Sequence, residues 1–374
     1  MPTHRRAGQL RKIVRAERFL GISLATTVAF ALAGEKMFAA MANPLWLAVI
    51  FVWLFAVVLC SALAVVRHAD RVAEFLGEPY GTLVLTLSVT AIEVMSITAV
   101  MLHGENNPTL VRDTLFAIIM IILGGMIGVS LLAGGWRHRE QHYNLQGANA
   151  YLGVIIPMAA FPLSLPNFTV TTPGPTLSGP QEMFVMLTSV GLYVAFLSIQ
   201  TGRHRSYFAP EDAATAHTKP PLGMGRLGWH IVLLLAYIIP VVFLAEQFAH
   251  PIDYLIETLN VPTAIGGVII AMLVATPEAI GATRAAWSNR LQRSINISLG
   301  SVLSTIGLTV PAMLAISYFT SHEVYLGLSS ADNLLLAVTL VVSIVTFASG
   351  HTNILQGVVH VVLFAAFVML IFQG

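Results

Sequence analysis

Apolar stretches recur along the whole chain, each closed off by a charge cluster or a Pro, Gly or Asn break. They fall at 19–34, 44–66, 79–102, 114–134, 146–168, 182–200, 228–249, 261–286, 295–318, 331–349 and 354–373. An α-helix needs about 20 apolar residues to cross the hydrocarbon core of a bilayer, and most of these stretches are of that order. The alternation of a transmembrane β-strand is absent, so an outer-membrane β-barrel is excluded. The pattern predicts an all-α polytopic membrane protein with about 11 transmembrane helices. Its partners are then the lipid bilayer and whatever it moves.

Composition sharpens this reading. Of the 374 residues, 56% are hydrophobic and only 10% charged, too little charge to cover a water-exposed surface. A soluble enzyme is excluded. The net charge of +1 gives no electrostatic case for nucleic acid. Cys60 is the only cysteine, which rules out an intramolecular disulfide and a cysteine-based metal site.

Charge also sets direction. With the N-terminus in the cytoplasm, all of the 19 Lys and Arg residues except Lys36 and Arg112 fall on the cytoplasmic side. That asymmetry follows the positive-inside rule, and one missed span would scramble it. It predicts a plasma (bacterial inner) membrane protein with its C-terminus outside. The first span imitates a signal peptide, with basic residues, an apolar run and Ala40-Met41-Ala42. Glu35-Lys36 interrupts the approach to that cleavage site, so the span is expected to be retained. The long polar interval 201–227, rich in His, Pro and Gly, reads as a mobile cytoplasmic linker between two halves.

The halves repeat each other. GTLVLTLSVTAIEVMSIT from Gly81 aligns without gaps on GGVIIAMLVATPEAIGAT from Gly266, pairing Val89 with Val274, Glu93 with Glu278 and Thr98 with Thr283. The following spans echo each other more faintly, IILGGMIGVSLL against GSVLSTIGLTVP. Setting the first helix apart (1–43) leaves two five-helix units, 44–200 and 228–374, around the linker 201–227. An odd number of helices forces the units to enter the membrane in opposite directions. Such inverted repeats place their binding site near the midplane between the halves. Segments 81–98 and 266–283 are then expected to superpose about an axis in the membrane plane.

Glu93 and Glu278 are the only acidic residues deep within any predicted span. An intramembrane charge at that depth costs roughly 2.5–3.5 kcal/mol on insertion scales, so each glutamate needs a reason. One reading is a structural pair, protonated and hydrogen-bonded to neighbouring helices. The other is an ion site, favoured because both repeats carry a glutamate beside hydroxyls: Thr90 one turn before Glu93, and Thr276-Pro277 just before Glu278. Pro277 removes a backbone donor and frees the carbonyl of Leu273. Carboxylates and bare carbonyls are hard oxygen ligands for Ca²⁺, Na⁺ or K⁺.

Other constellations carry less. His138 and His142 are spaced to share a helix face, but HExxH is absent and a solvated loop is the simpler reading. No P-loop supports ATP coupling. His360 in the last span reads as a proton relay or a packing residue, and its replacement by Asn is expected to be tolerated.

At the glutamates the chain resembles a known group. The segments VVRHAD at 65–70, GEPYGTLVLTLSVTAIEV at 77–94, RDTLFAIIMIILGG at 112–125, PEAIGATRAAWSN at 277–289, LQRSINISLGSVLSTIGLTVPA at 291–312 and SGHTNILQG at 349–357 resemble the cation/proton exchanger branch of the calcium/cation antiporter superfamily. The resemblance implies cation-binding roles for Glu93 and Glu278. From the helix after each glutamate it adds Gly124 and Gly125 in the first repeat and Ser301 and Ser304 in the second. The branch places Gly-Asn before the glutamate, whereas this chain has Val89-Thr90 and Val274-Ala275. Its central loop lacks the acidic run of many relatives, keeping only Glu211 and Asp212.

These readings converge on a secondary antiporter that exports Ca²⁺ against protons, with Na⁺ or K⁺ as alternative cargo and no resident cofactor. A non-transporting membrane scaffold is the alternative from another class. A transporter should let solvent reach both glutamates, and a scaffold should pack both dry.

Overall fold

The computed structural model describes residues 17–77, 80–103, 107–209 and 224–373. Residues 1–16 and 210–223 lie outside the described residues, and with them most of the basic N-terminus and the centre of the expected linker. Eleven helical rods account for nearly all of the described chain. They are α1 (Arg18–Phe38), α2 (Pro44–Leu76), α3 (Tyr80–His103), α4 (Leu110–His138), α5 (Leu145–Leu163), α6 (Gly179–Ser198), α7 (Met224–Asp253), α8 (Ala264–Trp287), α9 (Leu291–Thr320), α10 (Ser330–Thr346) and α11 (Ile354–Gln373).

Among the described residues, nine rods are long and apolar enough to cross a membrane by length and composition. The exceptions are α5, whose first turns LQGANAY dilute its apolarity, and α10, which has 17 residues. Both nonetheless run between the same two faces as their neighbours, as their end contacts show.

The chain divides into two compact units. One holds α1, α2, α3 and α7, and the other holds the remaining seven rods. Each unit draws on both halves of the sequence.

In the first unit, the start of α1, the end of α2 and the start of α7 meet at one face. Glu17 accepts from Arg67 at 2.7 Å and from Tyr237 at 3.0 Å, and the His68 and His230 rings meet through their Nδ1 atoms at 2.9 Å. At the opposite face Phe38 stacks on His250 and the Trp46 indole donates to Met37. Between the faces, Ser23 and Ser61 share a buried hydrogen bond at 2.9 Å. The first helix is therefore fastened along its length.

In the second unit one face gathers the ends of α4, α8 and α10 with the starts of α5, α9 and α11. Gln141 donates to Ala286 and Asn289, Asn144 to Gln292, and Tyr143 lies against Gly350. The other face gathers the residues that connect the opposite ends. Tyr325 donates to Pro108, Leu328 to Leu163, and Ser164 to Asn333. Every such contact joins ends that an alternating path through a membrane puts on the same side. In this unit Arg137, Arg139, Arg203, Arg205, Arg284, Arg290 and Arg293 cluster at the first face and only Arg112 lies at the second, as the charge pattern predicts.

Three local features depart from the sequence reading. The segment after α4 is a strand, β1 (Glu140–His142), paired antiparallel with β2 (His351–Asn353). The early part of the expected linker is anchored: Phe208 is buried against Tyr151 and Phe196, and its carbonyl accepts from Asn296 at 2.7 Å. Third, α4 and α9 each contain a π-helical segment, Ile121–Met126 and Thr305–Thr309. Close helix packing around the first of these depends on glycine, since a Cβ on Gly128 would stand 2.9 Å from the backbone nitrogen of Val361.

Candidate functional site

Glu93 lies midway along α3, an uninterrupted helix of 24 residues, and is 1% exposed. Thr90 one turn before it and Ser96 one turn after it are both buried and flank it on the same helical face. Ser88 spends its hydroxyl on the Val84 carbonyl at 2.7 Å. The Ser96 hydroxyl has no hydrogen-bond partner among the described residues. Ser96 was within reach of sequence reasoning, because i+3 spacing alone puts it beside Glu93.

Glu278 lies on α8, also 24 residues long. The residue is half-buried, with its Oε2 enclosed. Pro277 leaves the helix continuous but removes the donor that would meet the buried Leu273 carbonyl. Thr276 turns its hydroxyl back to the Met272 carbonyl of its own helix, so its proton is already engaged. One turn later Thr283 meets Ser130 of α4 at 3.4 Å. The Glu93 side chain is thus enclosed, and that of Glu278 enclosed only in part.

Within the second unit the helix of Glu278 packs against α9 and against the π segment of α4. That brings the Gly124-Gly125 stretch and the Ser301 helix to the flanks of α8. Ser304 donates to the Ser301 carbonyl at 3.0 Å immediately before the α9 π segment, within which Thr309 is fully buried. Gly124 has a packing role of its own: a Cβ there would approach the backbone of Phe364 on α11 to 3.1 Å. Glu93 and Thr90 belong to the first unit.

The histidines are reassigned. His138 meets the Trp287 carbonyl at 3.0 Å, while His142 faces His351 across the β-ribbon. The intervening strand takes the two apart from any common helix face. Among the described residues no group of three His, Cys, Asp or Glu side chains is arranged to hold a metal ion. His360 is fully buried with both ring nitrogens engaged, Nδ1 to the Leu123 carbonyl at 2.6 Å and Nε2 to the Thr346 hydroxyl at 3.0 Å. Tolerance of Asn at this position no longer follows as simply as the sequence implied, because one of those bonds would be lost.

Comparison with known proteins places these features in a family. The model described as sodium/calcium exchanger protein matches residues 46–202 and 229–373, leaving α1 outside the matched segments. The chain is 40% identical over 320 residues to the sodium-potassium/proton antiporter ChaA of Escherichia coli (strain K12), covering 84% of this chain and 86% of that one. It is 24% identical over 328 residues to the Ca(2+)/H(+) antiporter ChaA of Bacillus subtilis (strain 168), covering 85% and 90%. Among solved structures, native YfkE superposes with a TM-score of 0.72 at 18% identity, covering 95% of this chain and all of that one. The H+/Ca2+ exchanger CAX gives 0.66 at 14% identity, covering 96% and 88%. The chain belongs to the sodium/calcium exchanger protein family, within its cation/proton exchanger branch, and is an integral membrane cation exchanger.

Proposed function

We propose that this protein exports Ca²⁺ in exchange for protons, with Glu93 and Glu278 as the carboxylates that take up either ion. The observation that carries this reading is the recurrence of one glutamate in two repeated helices of equal length, each with a carboxyl group withdrawn from water. A carboxylate at such depth is stable when it binds a cation or a proton and costly when bare. That property makes the two ions alternatives. Cation binding expels protons, and protonation neutralises the ligands and releases the cation. Thr90, Thr276, the carbonyl that Pro277 leaves without its helical donor, the Gly124-Gly125 segment, Ser301 and Ser304 are proposed to complete the coordination.

Two carboxylates balance one Ca²⁺, so a cycle against two protons moves no net charge at these residues. The pH gradient alone then drives export, and the membrane potential, worth about 2.3 kcal/mol per charge per 100 mV, adds nothing. A Na⁺ or K⁺ exchanger is the second reading, favoured by the name of the 40% identical relative. A monovalent ion would leave one carboxylate holding its proton. The clustered arginines favour a bacterial plasma membrane with that face in the cytoplasm.

The test is exchange by purified protein in liposomes, with Ca²⁺, Na⁺ and K⁺ tried in turn under an imposed pH gradient. Glu93→Gln and Glu278→Gln preserve shape and remove the ionisable group, and each should reduce exchange to the level of empty liposomes. Wild-type rates in either variant would end the two-carboxylate mechanism. Rates that track an imposed voltage would keep the residues and overturn the electroneutral stoichiometry.

A further inference from the structure

The two π segments begin at almost the same interval after the repeat glutamates, Ile121 after Glu93 and Thr305 after Glu278. A π turn exists at a local cost and recurs mostly where function requires it. It also leaves a backbone carbonyl without its usual helical donor, and a buried carbonyl must find another. In α4 the carbonyl of Leu123 is met from outside its own helix, by His360 of α11.

The chemistry at that bond is well defined. A carbonyl oxygen only accepts, so Nδ1 of His360 carries the proton. A neutral ring then offers its Nε2 lone pair to the Thr346 hydroxyl at the end of α10. One side chain thus joins α10, α11 and the irregular turn of α4. Phe364, one turn further along α11, closes on Gly124 within that same turn. The π segment in turn packs against α8, the helix that carries Glu278. In α9 the Thr309 hydroxyl inside the second π segment lacks a hydrogen-bond partner among the described residues.

We propose that His360 is a positioning residue for transport: it pins the Leu123 carbonyl and thereby sets the α4 π segment against the helix of Glu278. The ring takes no part in carrying protons. Its role rests on the reading of Glu278 as an ion-binding carboxylate, and it deepens that reading by naming what holds the surroundings of Glu278 in register.

The experiment compares His360→Asn, His360→Leu and Thr346→Val in full-length protein reconstituted in liposomes. The readouts are the apparent affinities for Ca²⁺ and Na⁺, titrated separately, and the pH profile of exchange. Asn places an N–H near the position of Nδ1 and can still donate to Leu123, so its affinity should stay within about threefold of wild type. Leu cannot donate and should weaken affinity about tenfold or more in protein that is folded and inserted. Thr346→Val frees only the far ring nitrogen and should fall between them. A purely structural role would lower the folded yield of all three and leave affinity unchanged, which overturns the proposal. A shifted pH profile in His360→Asn makes the ring a proton carrier and overturns it as well. If His360→Leu does not fold, Thr346→Val decides alone, and wild-type affinity there is the overturning result. Glu278→Gln is measured alongside. Retained exchange in that variant defeats the carboxylate assignment, while the effect of His360 on cation affinity remains separately readable.

Discussion

Glu93 and Glu278 occupy matching positions in helices of equal length, yet their surroundings differ. The α3 helix is regular, and Glu93 is 1% exposed between two buried hydroxyl residues. The α8 helix carries a proline directly before Glu278, leaves that residue half-buried, and ties the neighbouring Thr276 hydroxyl to its own backbone. The sequence repeat thus preserves the carboxyl group and lets its surroundings diverge. On the α3 side the neighbouring oxygens are hydroxyl groups of side chains. On the α8 side Pro277 takes away the helical donor of the Leu273 carbonyl. If both act as cation ligands, as proposed, enclosure should make the first position strict about geometry and partial exposure the second more forgiving.

Shortening each carboxylate by one methylene tests that contrast with the largest expected effect. Glu93→Asp moves the charge within a closed environment that cannot follow it, and exchange should drop more than tenfold. Glu278→Asp should cost only a few-fold, because a half-buried carboxylate can be reached by shifting the cation or admitting water. Exchange rates in liposomes at saturating Ca²⁺ give the comparison, and equal losses at the two positions would erase it.

Proton competition has the next largest effect. If cation and proton are alternatives at the same carboxylates, as proposed, apparent cation affinity should rise with pH, by about tenfold per unit for each proton released. In Glu93→Asp or Glu278→Asp the slope should persist while the absolute affinity falls. Cation-evoked proton release from detergent-solubilised protein at a series of pH values measures both. An affinity that is flat between mildly acidic and alkaline pH would remove the competition altogether.

How much of this was legible beforehand follows from the physics of each element. Helix number was readable because hydrocarbon fixes the length of a span and arginine gathers at alternate breaks between spans. Even α5 and α10, weak by composition or length, were placed by that alternation. The glutamates were readable because an acidic residue is rare in an apolar run. The π segments were not, since a π turn is stabilised by distant partners such as His360 and Phe364, whose register no local pattern encodes. The β-ribbon was missed for the same reason: its two strands are three residues long and meet only after α4, α10 and α11 have packed. Hydroxyl direction also escaped. No local pattern tells that the Thr276 proton is held by the Met272 carbonyl of its own helix.

Pro277→Ala probes the α8 side of the comparison directly. Alanine restores an N–H at the position that faces the Leu273 carbonyl and closes the helical bond that proline leaves open. Relief of an interior proline is worth up to about 3 kcal/mol where the helix is otherwise regular, so thermal stability should rise. If the bare carbonyl serves the cation, apparent affinity for Ca²⁺ should fall a few-fold at the same time. Stability that rises with affinity unchanged would assign Pro277 to helix shape alone and leave Glu278 without a backbone ligand.

The smallest expected effect separates the two hydroxyls nearest the glutamates that differ in engagement. Ser96 is buried one turn from Glu93, and its Oγ has no hydrogen-bond partner among the described residues. A buried hydroxyl in that condition costs stability, and a bound cation would offset part of that cost if Ser96 faces the proposed site. Thr276 has already satisfied its proton within its own helix. Ser96→Ala should therefore weaken apparent cation affinity by about fivefold, the equivalent of roughly 1 kcal/mol for one hydrogen-bonding group. Thr276→Val preserves shape and removes a hydroxyl whose proton is held by the helix and which has only lone pairs to offer a cation, so affinity should fall by no more than about twofold. Both substitutions are neutral in charge, so proton release per cation should not change in either. Should Thr276→Val prove the more damaging of the two, the α8 side would be the stricter ligand set, and the contrast drawn from exposure would have to be reversed.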